Sequence, residues 1–208
     1  MKKYSQQTVY INIINPNLKR MKKLFIIFML MTNQSLSNAK PTNMQVTYLA
    51  GGCYWGLEEL IRKIPGVTNT NVGFTGGHVK NVSYKEVSRG DTGHAESIRI
   101  EFNNEVLSFK DLLLQFFKMH NPTTLNQQGN DRGSQYRSVI FYTNNDQKNT
   151  ASNVIDLVNK SNLWKSKVVT IVEEFTTFYS AEESHQKYLS KNPGGYSCHF
   201  VRGFDFTK

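Results

Sequence analysis

The chain has 208 residues, which is enough for one domain with a sizeable hydrophobic core. Its 38% hydrophobic and 20% charged residues are ordinary for a globular protein and exclude a disordered or fibrous chain. The net charge of +9 suggests nucleic-acid binding, but seven of the 25 basic residues lie before residue 41, where no acidic residue occurs. The rest of the chain holds 18 basic and 16 acidic residues, so the domain has little electrostatic drive to bind DNA or RNA.

The first 39 residues have the order of a secretory signal peptide. Met21 begins a short basic stretch, and an apolar run from Leu24 to Met31 and a polar stretch ending at Ala39 follow it. The run is too short to span a bilayer as a permanent helix. We expect translation to start at Met21 and cleavage to follow Ala39, with an uncleaved anchor or a disordered tail as the alternative. Residues 40–208 are then one domain in the periplasm or cell envelope, or in the cytoplasm if the leader is not a functional signal.

The hydrophobic pattern after residue 40 predicts alternating strands and helices. In chain order these are a strand at 44–49, a helix at 54–64, strands at 67–74 and 96–102, a helix after Ser108, a strand at 138–142, a helix at 147–159, a strand at 168–173 and a helix at 181–189. The order strand-helix-strand-strand-helix-strand predicts an α+β fold with a ferredoxin-like split βαβ core, in which helices cover a mixed or antiparallel sheet, followed by C-terminal extensions. The glycine-rich links at 73–93 and 129–133 are the loops in which we expect the chemistry.

Two cysteines, Cys53 and Cys198, are too few for a four-cysteine zinc site or a dense disulfide framework. Cys53 precedes the first predicted helix, whose N-terminus should favour the nucleophilic thiolate form. The preceding Gly51-Gly52 should let a substrate approach the backbone closely. Cys198 lies in a glycine-containing segment near the C-terminus and is expected to be mobile and exposed. It is either a resolving thiol for an oxidised Cys53 or one half of a permanent disulfide.

Six segments of the chain, taken in order, resemble the sequence blocks of peptide methionine sulfoxide reductases of the A type. They are GGCYWGLEE at 51–59, GFTGG at 73–77, SYKEV with GDTGHAE at 83–96, HNPTT at 120–124, QGNDRGSQYRS at 128–138, and HQKYL with KNPGGY at 185–196. Each segment alone is a weak signal, but chance agreement of six segments in the family's order is very improbable.

The resemblance implies that Cys53 is the nucleophile, that Glu96 protonates the sulfoxide oxygen, and that Cys198 resolves the oxidised Cys53. In substrate binding, the resemblance implies that Tyr54 and Trp55 form the apolar pocket for the methyl group on sulfur. It implies that Tyr84 and Tyr136 form hydrogen bonds to the sulfoxide oxygen, and that Asp131 belongs to the polar network below. A partly buried carboxyl group with a raised pKa suits the acid role, because the sulfoxide oxygen is a poor leaving group until it is protonated.

The reaction that the resemblance implies is reduction of the S epimer of methionine sulfoxide, free or in peptides and proteins, to methionine. Cys53 becomes a sulfenic acid, Cys198 converts it to a disulfide, and a thioredoxin-like dithiol reduces the disulfide. An external dithiol is then the only reductant needed, and we expect no bound cofactor and no metal. We also expect a monomer with no nucleic-acid partner.

Five positions differ from the commonest family pattern, namely Tyr54, Val82, Ser88, Gln128 and Ser184. The Tyr54 hydroxyl, where phenylalanine is usual, needs a hydrogen-bond partner if it is buried. Ser88 replaces a frequent cysteine, so any recycling would use Cys198 alone. These differences leave all the proposed catalytic groups in place and bear on substrate preference.

Three other functions are compatible with a cysteine at a helix start. The first is peroxide reduction at Cys53 without a sulfoxide pocket. The second is a non-enzymatic, exported peptide-binding module whose two cysteines form a staple. The third is a papain-like hydrolase that pairs Cys53 with a histidine. The candidate histidines are His78, His94, His120, His185 and His199.

Overall fold

The structure is a computed structural model that describes residues 43–208. The predicted leader at 1–39 lies outside the described residues. Within the described range, every helix is too short or too polar to cross a membrane.

Eight strands and five α-helices make up this part of the chain. The strands are β1 (Met44–Gly51), β2 (Val67–Thr75), β3 (Ala95–Asn103), β4 (Gln127–Gln128), β5 (Asp131–Arg132), β6 (Ser138–Tyr142), β7 (Ile171–Glu174) and β8 (Tyr179–Ser180). The helices are α1 (Tyr54–Ile61), α2 (Tyr84–Val87), α3 (Phe109–Met119), α4 (Asn145–Ser161) and α5 (Tyr188–Lys191).

Six strands form one sheet in the order β7-β6-β1-β3-β2-β8. All neighbouring strands in it are antiparallel except β6 and β7, which are parallel. Strands β4 and β5 form a separate hairpin. The predicted α+β class, with helices and a mixed sheet, is confirmed. Strand β1 lies near the middle of the sheet, between β6 and β3, so the chain leaves the sheet at Gly51 between these two strands.

The central strand β1 contributes to hydrophobic clusters on both faces of the sheet, because successive side chains of a strand point in opposite directions. Leu49 belongs to the larger cluster, which includes the apolar sides of α1 and α3. Tyr48 and Ala50 belong to a smaller cluster on the other face, where the Phe175 ring stacks on Tyr48 at 3.9 Å. The sheet is therefore covered on both faces, and β1 leads from its buried interior into the turn that begins α1.

The predicted helix at 181–189 is wrong. Residues 183–187 form turns, and only the short α5 is helical. The Gln186 side chain accepts the backbone N–H of Val72 at 2.9 Å and donates to its C=O at 2.8 Å. Lys187 then adopts a left-handed backbone conformation with φ of 51°. These contacts fasten the C-terminal segment to the sheet edge and replace the hydrogen bonds of a longer helix. The strand predicted at 168–173 begins later, at Ile171.

Candidate active site

The turn between β1 and α1 carries the nucleophile candidate. Cys53 is the N-cap residue of α1 and is 8% exposed. Gly52 has a φ of +101°, a conformation that strains other residues, and a Cβ there would collide with the Gln128 side chain. A Cβ on Gly56 would lie 2.5 Å from Ser197 Oγ. The room that these glycines leave is thus filled by protein side chains, whereas we expected Gly51-Gly52 to make room for a substrate.

One small cavity brings together most of the predicted site. Its volume is about 120 Å³, and its lining residues are Cys53, Tyr54, Trp55, Tyr84, Glu96, Asp131, Tyr136 and Tyr196. Of these, only Tyr196 is missing from the sequence prediction, although it ends the KNPGGY segment. A larger groove of about 440 Å³ is lined by residues of α3 and α4, including Lys110, but it contains no cysteine. The smaller cavity is therefore the candidate active site.

Glu96 is the buried acid of this cavity. It is 3% exposed, and its Oε2 accepts the backbone N–H of Tyr54 at 3.1 Å. Burial raises the pKa of Glu96 to about 8, although the Tyr54 hydrogen bond opposes the rise and the Asp131 charge adds to it. At neutral pH most of the Glu96 carboxyl is therefore protonated and can donate a proton.

The predicted thiolate at Cys53 is wrong for the free protein. Burial raises the pKa of Cys53 far above its usual range, and the Glu96 charge adds to the rise. The backbone N–H of Trp55, at the start of α1, lowers this pKa but is outweighed. Because charge is costly away from water, Cys53 is a neutral thiol here, and its proton must leave during the reaction.

Two aromatic side chains at the start of α1 form one wall of the cavity, and a histidine positions both. The Tyr54 hydroxyl lies 2.9 Å from Nδ1 of His185, and the Trp55 indole Nε1 donates to the same atom at 3.2 Å. Since an indole N–H only donates, Nδ1 of His185 must be unprotonated. The other side of the indole stacks on Tyr188 at 3.9 Å. The need for a Tyr54 partner was predictable, but sequence reasoning missed that His185 supplies it.

Tyr84 and Tyr136 complete the polar side of the cavity. Burial, followed by the Glu96 charge, raises the pKa of both phenols. The two hydroxyls therefore keep their protons throughout the neutral pH range. The ring of Tyr84 also packs on His185 with a centroid distance of 4.4 Å.

Asp131 connects the cavity to the second cysteine. Its Oδ1 accepts the Tyr196 hydroxyl at 3.0 Å, and its Oδ2 accepts the Cys198 thiol at 3.2 Å. Cys198 is only partly exposed, so the prediction of an exposed thiol is wrong. Burial and Asp131 raise the pKa of Cys198 to about 12, while the adjacent backbone N–H of Cys53 opposes the rise. Both cysteines are free thiols in this structure.

The histidines of the described residues do not pair with Cys53 through a hydrogen bond. His120 is fully buried and bonds to the Phe116 carbonyl at 2.9 Å and to Ser138 Oγ at 2.8 Å. His199 lies beside Cys198 instead. The papain-like arrangement is therefore not found in residues 43–208. In the same part of the chain, His, Cys, Asp and Glu side chains form no group of three or more that could hold a metal ion.

Comparison with known proteins agrees with this geometry. Residues 45–207 match the family model described as peptide methionine sulfoxide reductase. Peptide methionine sulfoxide reductase MsrA 2 of Rhodopirellula baltica is 53% identical over 154 residues, or 74% of this chain and 89% of that protein. Mxr1 from Saccharomyces cerevisiae in reduced form has a TM-score of 0.73 at 35% identity, covering 81% of this chain and 97% of Mxr1. Methionine sulfoxide reductase A of Corynebacterium diphtheriae has a TM-score of 0.71 at 33% identity, covering 80% of this chain and 83% of that protein. The chain belongs to the peptide methionine sulfoxide reductase family.

Proposed function

We propose that this protein reduces the S epimer of methionine sulfoxide to methionine, with Cys53 as the nucleophile and Glu96 as the acid. The single observation that carries the proposal is the cavity in which a buried thiol, a carboxyl group with a raised pKa and an aromatic wall meet. The sulfoxide methyl group suits the rings of Tyr54 and Trp55. The sulfoxide oxygen suits the side occupied by Tyr84, Glu96 and Tyr136.

In the first step, the Cys53 sulfur forms a bond to the substrate sulfur while Glu96 transfers its proton to the sulfoxide oxygen. The Cys53 proton passes to the resulting Glu96 carboxylate, which regenerates the acid. The hydroxyl group then moves from the substrate sulfur to the Cys53 sulfur: the S–O bond of the substrate and the new S–S bond break, an S–O bond forms on Cys53, and methionine leaves with Cys53 as a sulfenic acid. The substrate sulfur is reduced by two electrons and Cys53 is oxidised by two. A protonated Glu96 suits this step, because the oxygen needs a proton before its bond to sulfur breaks.

In the second step, the Cys198 sulfur attacks the sulfenic sulfur of Cys53. The S–S bond forms, the S–O bond breaks, and the oxygen leaves as water with the Cys198 proton. The contact of Cys198 with Asp131, which lines the same cavity, supports this role.

A thioredoxin-like dithiol then reduces the disulfide by exchange, and the donor is oxidised by two electrons. This route needs no bound cofactor, because the electrons arrive through a thiol. Mxr1 of yeast has also been solved in complex with Trx2. If the leader directs export, the donor must be a thiol protein outside the cytoplasm.

Stereospecific turnover tests the proposed function. Each epimer of a blocked methionine sulfoxide is supplied with dithiothreitol to the wild type, Cys53→Ser, Glu96→Gln and the control Glu174→Gln, which changes an exposed glutamate of β7. We expect the wild type and the control to reduce the S epimer only, and Cys53→Ser to be inactive. Glu96→Gln should be slower by about 10²- to 10⁴-fold, the usual contribution of a general acid.

The result that would overturn the proposal is a wild type that leaves both epimers untouched. Consumption of hydrogen peroxide by the same preparation would then select the peroxide-reducing alternative. If neither substrate is consumed and Cys53→Ser only lowers stability, the non-enzymatic binding module is the better description.

A further inference from the structure

His199 joins the segment of the second cysteine to the turn of the first. It is 9% exposed, and its Nε2 lies 2.7 Å from the carbonyl oxygen of Gly51. A carbonyl oxygen only accepts, so Nε2 carries the ring hydrogen and donates it. Nδ1 therefore presents a lone pair, and it lies 3.4 Å from the Cys198 sulfur. One side chain thus contacts both the backbone before Cys53 and the thiol of Cys198.

Two glycines, one in the turn before Cys53 and one in the first turn of α1, leave the room that this histidine occupies. A Cβ on Gly52 would lie 3.2 Å from Cε1 of His199, and a Cβ on Gly56 would lie 2.8 Å from its Nδ1. The second of these distances is shorter than real Cβ contacts, so a side chain at Gly56 would displace His199 or Ser197. The start of α1 is therefore shaped to receive the segment that carries Cys198.

The same segment is fastened on both sides of His199. After His199, the backbone N–H of Arg202 donates to the Lys118 carbonyl at 3.0 Å. Cys198 itself donates to Asp131. The thiol therefore has a defined location beside the cavity.

We propose that His199 is the positioning residue of the resolving step, because its hydrogen bond to Gly51 holds Cys198 within reach of the oxidised Cys53. This inference rests on the proposed function, in which Cys198 attacks a Cys53 sulfenic acid and water leaves. A thiol that is already oriented reacts faster than one on a free segment, because the cost of ordering the segment has been met in folding. His199 acts through Cys198, and it is not among the residues that line the cavity.

A single-turnover experiment separates the two steps. The reduced full-length protein is mixed with excess S epimer of a blocked methionine sulfoxide and no reductant. Methionine formation reports the first step. Mass spectrometry after alkylation and dimedone treatment then reports free Cys198, the Cys53 sulfenic acid and the disulfide.

The variants are chosen to distinguish the effect of the hydrogen bond to Gly51 from the effect of the imidazole ring itself. In His199→Leu, we expect methionine to form within about threefold of the wild-type rate, and the disulfide at least tenfold more slowly, with the Cys53 sulfenic acid trapped by dimedone. In His199→Gln, the amide can still donate to Gly51, and the disulfide rate should stay within about threefold of wild type. The control His78→Leu changes an exposed histidine and should behave as the wild type.

A second substitution tests the same contact from the side of α1. Gly56→Ala adds a methyl group too close to both Ser197 and His199, so it should shift the segment that carries Cys198 and slow disulfide formation, even though alanine favours a helix. This variant keeps the proposal testable if His199→Leu does not fold. Disulfide formation at the wild-type rate in either His199→Leu or Gly56→Ala overturns the inference, and so does a His199→Gln that is as slow as His199→Leu. A wild type that forms no methionine contradicts the proposed function instead.

Discussion

The backbone N–H of Tyr54 donates to Glu96 Oε2 at 3.1 Å, so the first residue of α1 holds the acid that we assign to the reaction. Cys53 is the N-cap of the same helix. The helix start and the neighbouring strand β3 therefore fix the nucleophile and the acid together. The aromatic residues at the start of α1 then fix the cavity wall between them.

The raised pKa of Glu96 predicts how activity depends on pH. Glu96 must be protonated to donate, and its pKa of about 8 means that the required form is present below pH 8 and is lost above it. We expect kcat/KM for the S epimer to fall above about pH 8, and the residual activity of Glu96→Gln to lack that fall. Profiles between pH 6 and 9.5 check this, and a wild-type kcat/KM that rises steadily up to pH 9.5 contradicts it.

The hydrogen bond between the Tyr54 hydroxyl and His185 predicts a measurable contribution to stability. Tyr54→Phe removes this bond but leaves His185 with the Trp55 indole as a donor. The free energy of unfolding should fall by about 1 kcal/mol, the usual net value of one hydrogen bond. Urea unfolding measures it, with Tyr142→Phe on β6 as the control, which should change stability by less than about 0.5 kcal/mol. An equal loss in the two variants would mean that the Tyr54 hydroxyl is not specifically bonded.

Burial of His120 predicts a loss of stability in acid. Burial lowers the pKa of His120 to about 3, so its contribution is fully present above the unfolded value of 6.5 and is lost as the pH falls toward 3. Below pH 6.5 the free energy of unfolding of the wild type should fall more steeply than that of His120→Asn. The difference between the two slopes should approach about 1.4 kcal/mol per pH unit. Subtracting the His120→Asn curve from the wild-type curve cancels the contribution of Glu96, which has the opposite sign because the pKa of that carboxyl group is raised.

Urea unfolding of both proteins at several values between pH 7.5 and pH 5 gives the two slopes. The control His78→Asn changes an exposed histidine and should have the wild-type slope. Parallel slopes for the wild type and His120→Asn would show that His120 is not held neutral.

The conformation at Gly52 predicts that alanine is not tolerated there. Its φ of +101° strains any residue with a Cβ, and that Cβ would collide with Gln128. Gly52→Ala should lower the free energy of unfolding by at least about 2 kcal/mol. Gly203→Ala is the matched control, because no atom beyond its two chain neighbours lies within 4 Å of its added Cβ, and it should be nearly neutral. Thermal unfolding of the two variants checks this, and equal melting temperatures would contradict it.

Local pattern predicted most of the elements, because each depends on residues close together in the chain. The spacing of apolar residues gave α1, α3 and α4 and the four strands β1, β2, β3 and β6, with ends within a few residues of the structure. Local pattern failed at 181–187, where Gln186 bonds to Val72, more than one hundred residues away in the chain. No window of neighbouring residues contains that partner.

The sequence by itself predicted which residues meet at the candidate active site, since six ordered segments named Cys53, Glu96, Tyr54, Trp55, Tyr84, Asp131 and Tyr136, and one cavity is lined by all of these. Only the tertiary structure decided the protonation states of these residues and the contacts that position them. Cys53 follows a helix-start pattern that favours a thiolate, yet burial makes it a neutral thiol. The environments of Cys198, His185 and His199 likewise depend on contacts with β1, α1 and the β4–β5 hairpin. The physical reason is that burial and the resulting pKa sum over atoms from the whole fold, whereas periodicity and motifs report only on neighbours in the chain.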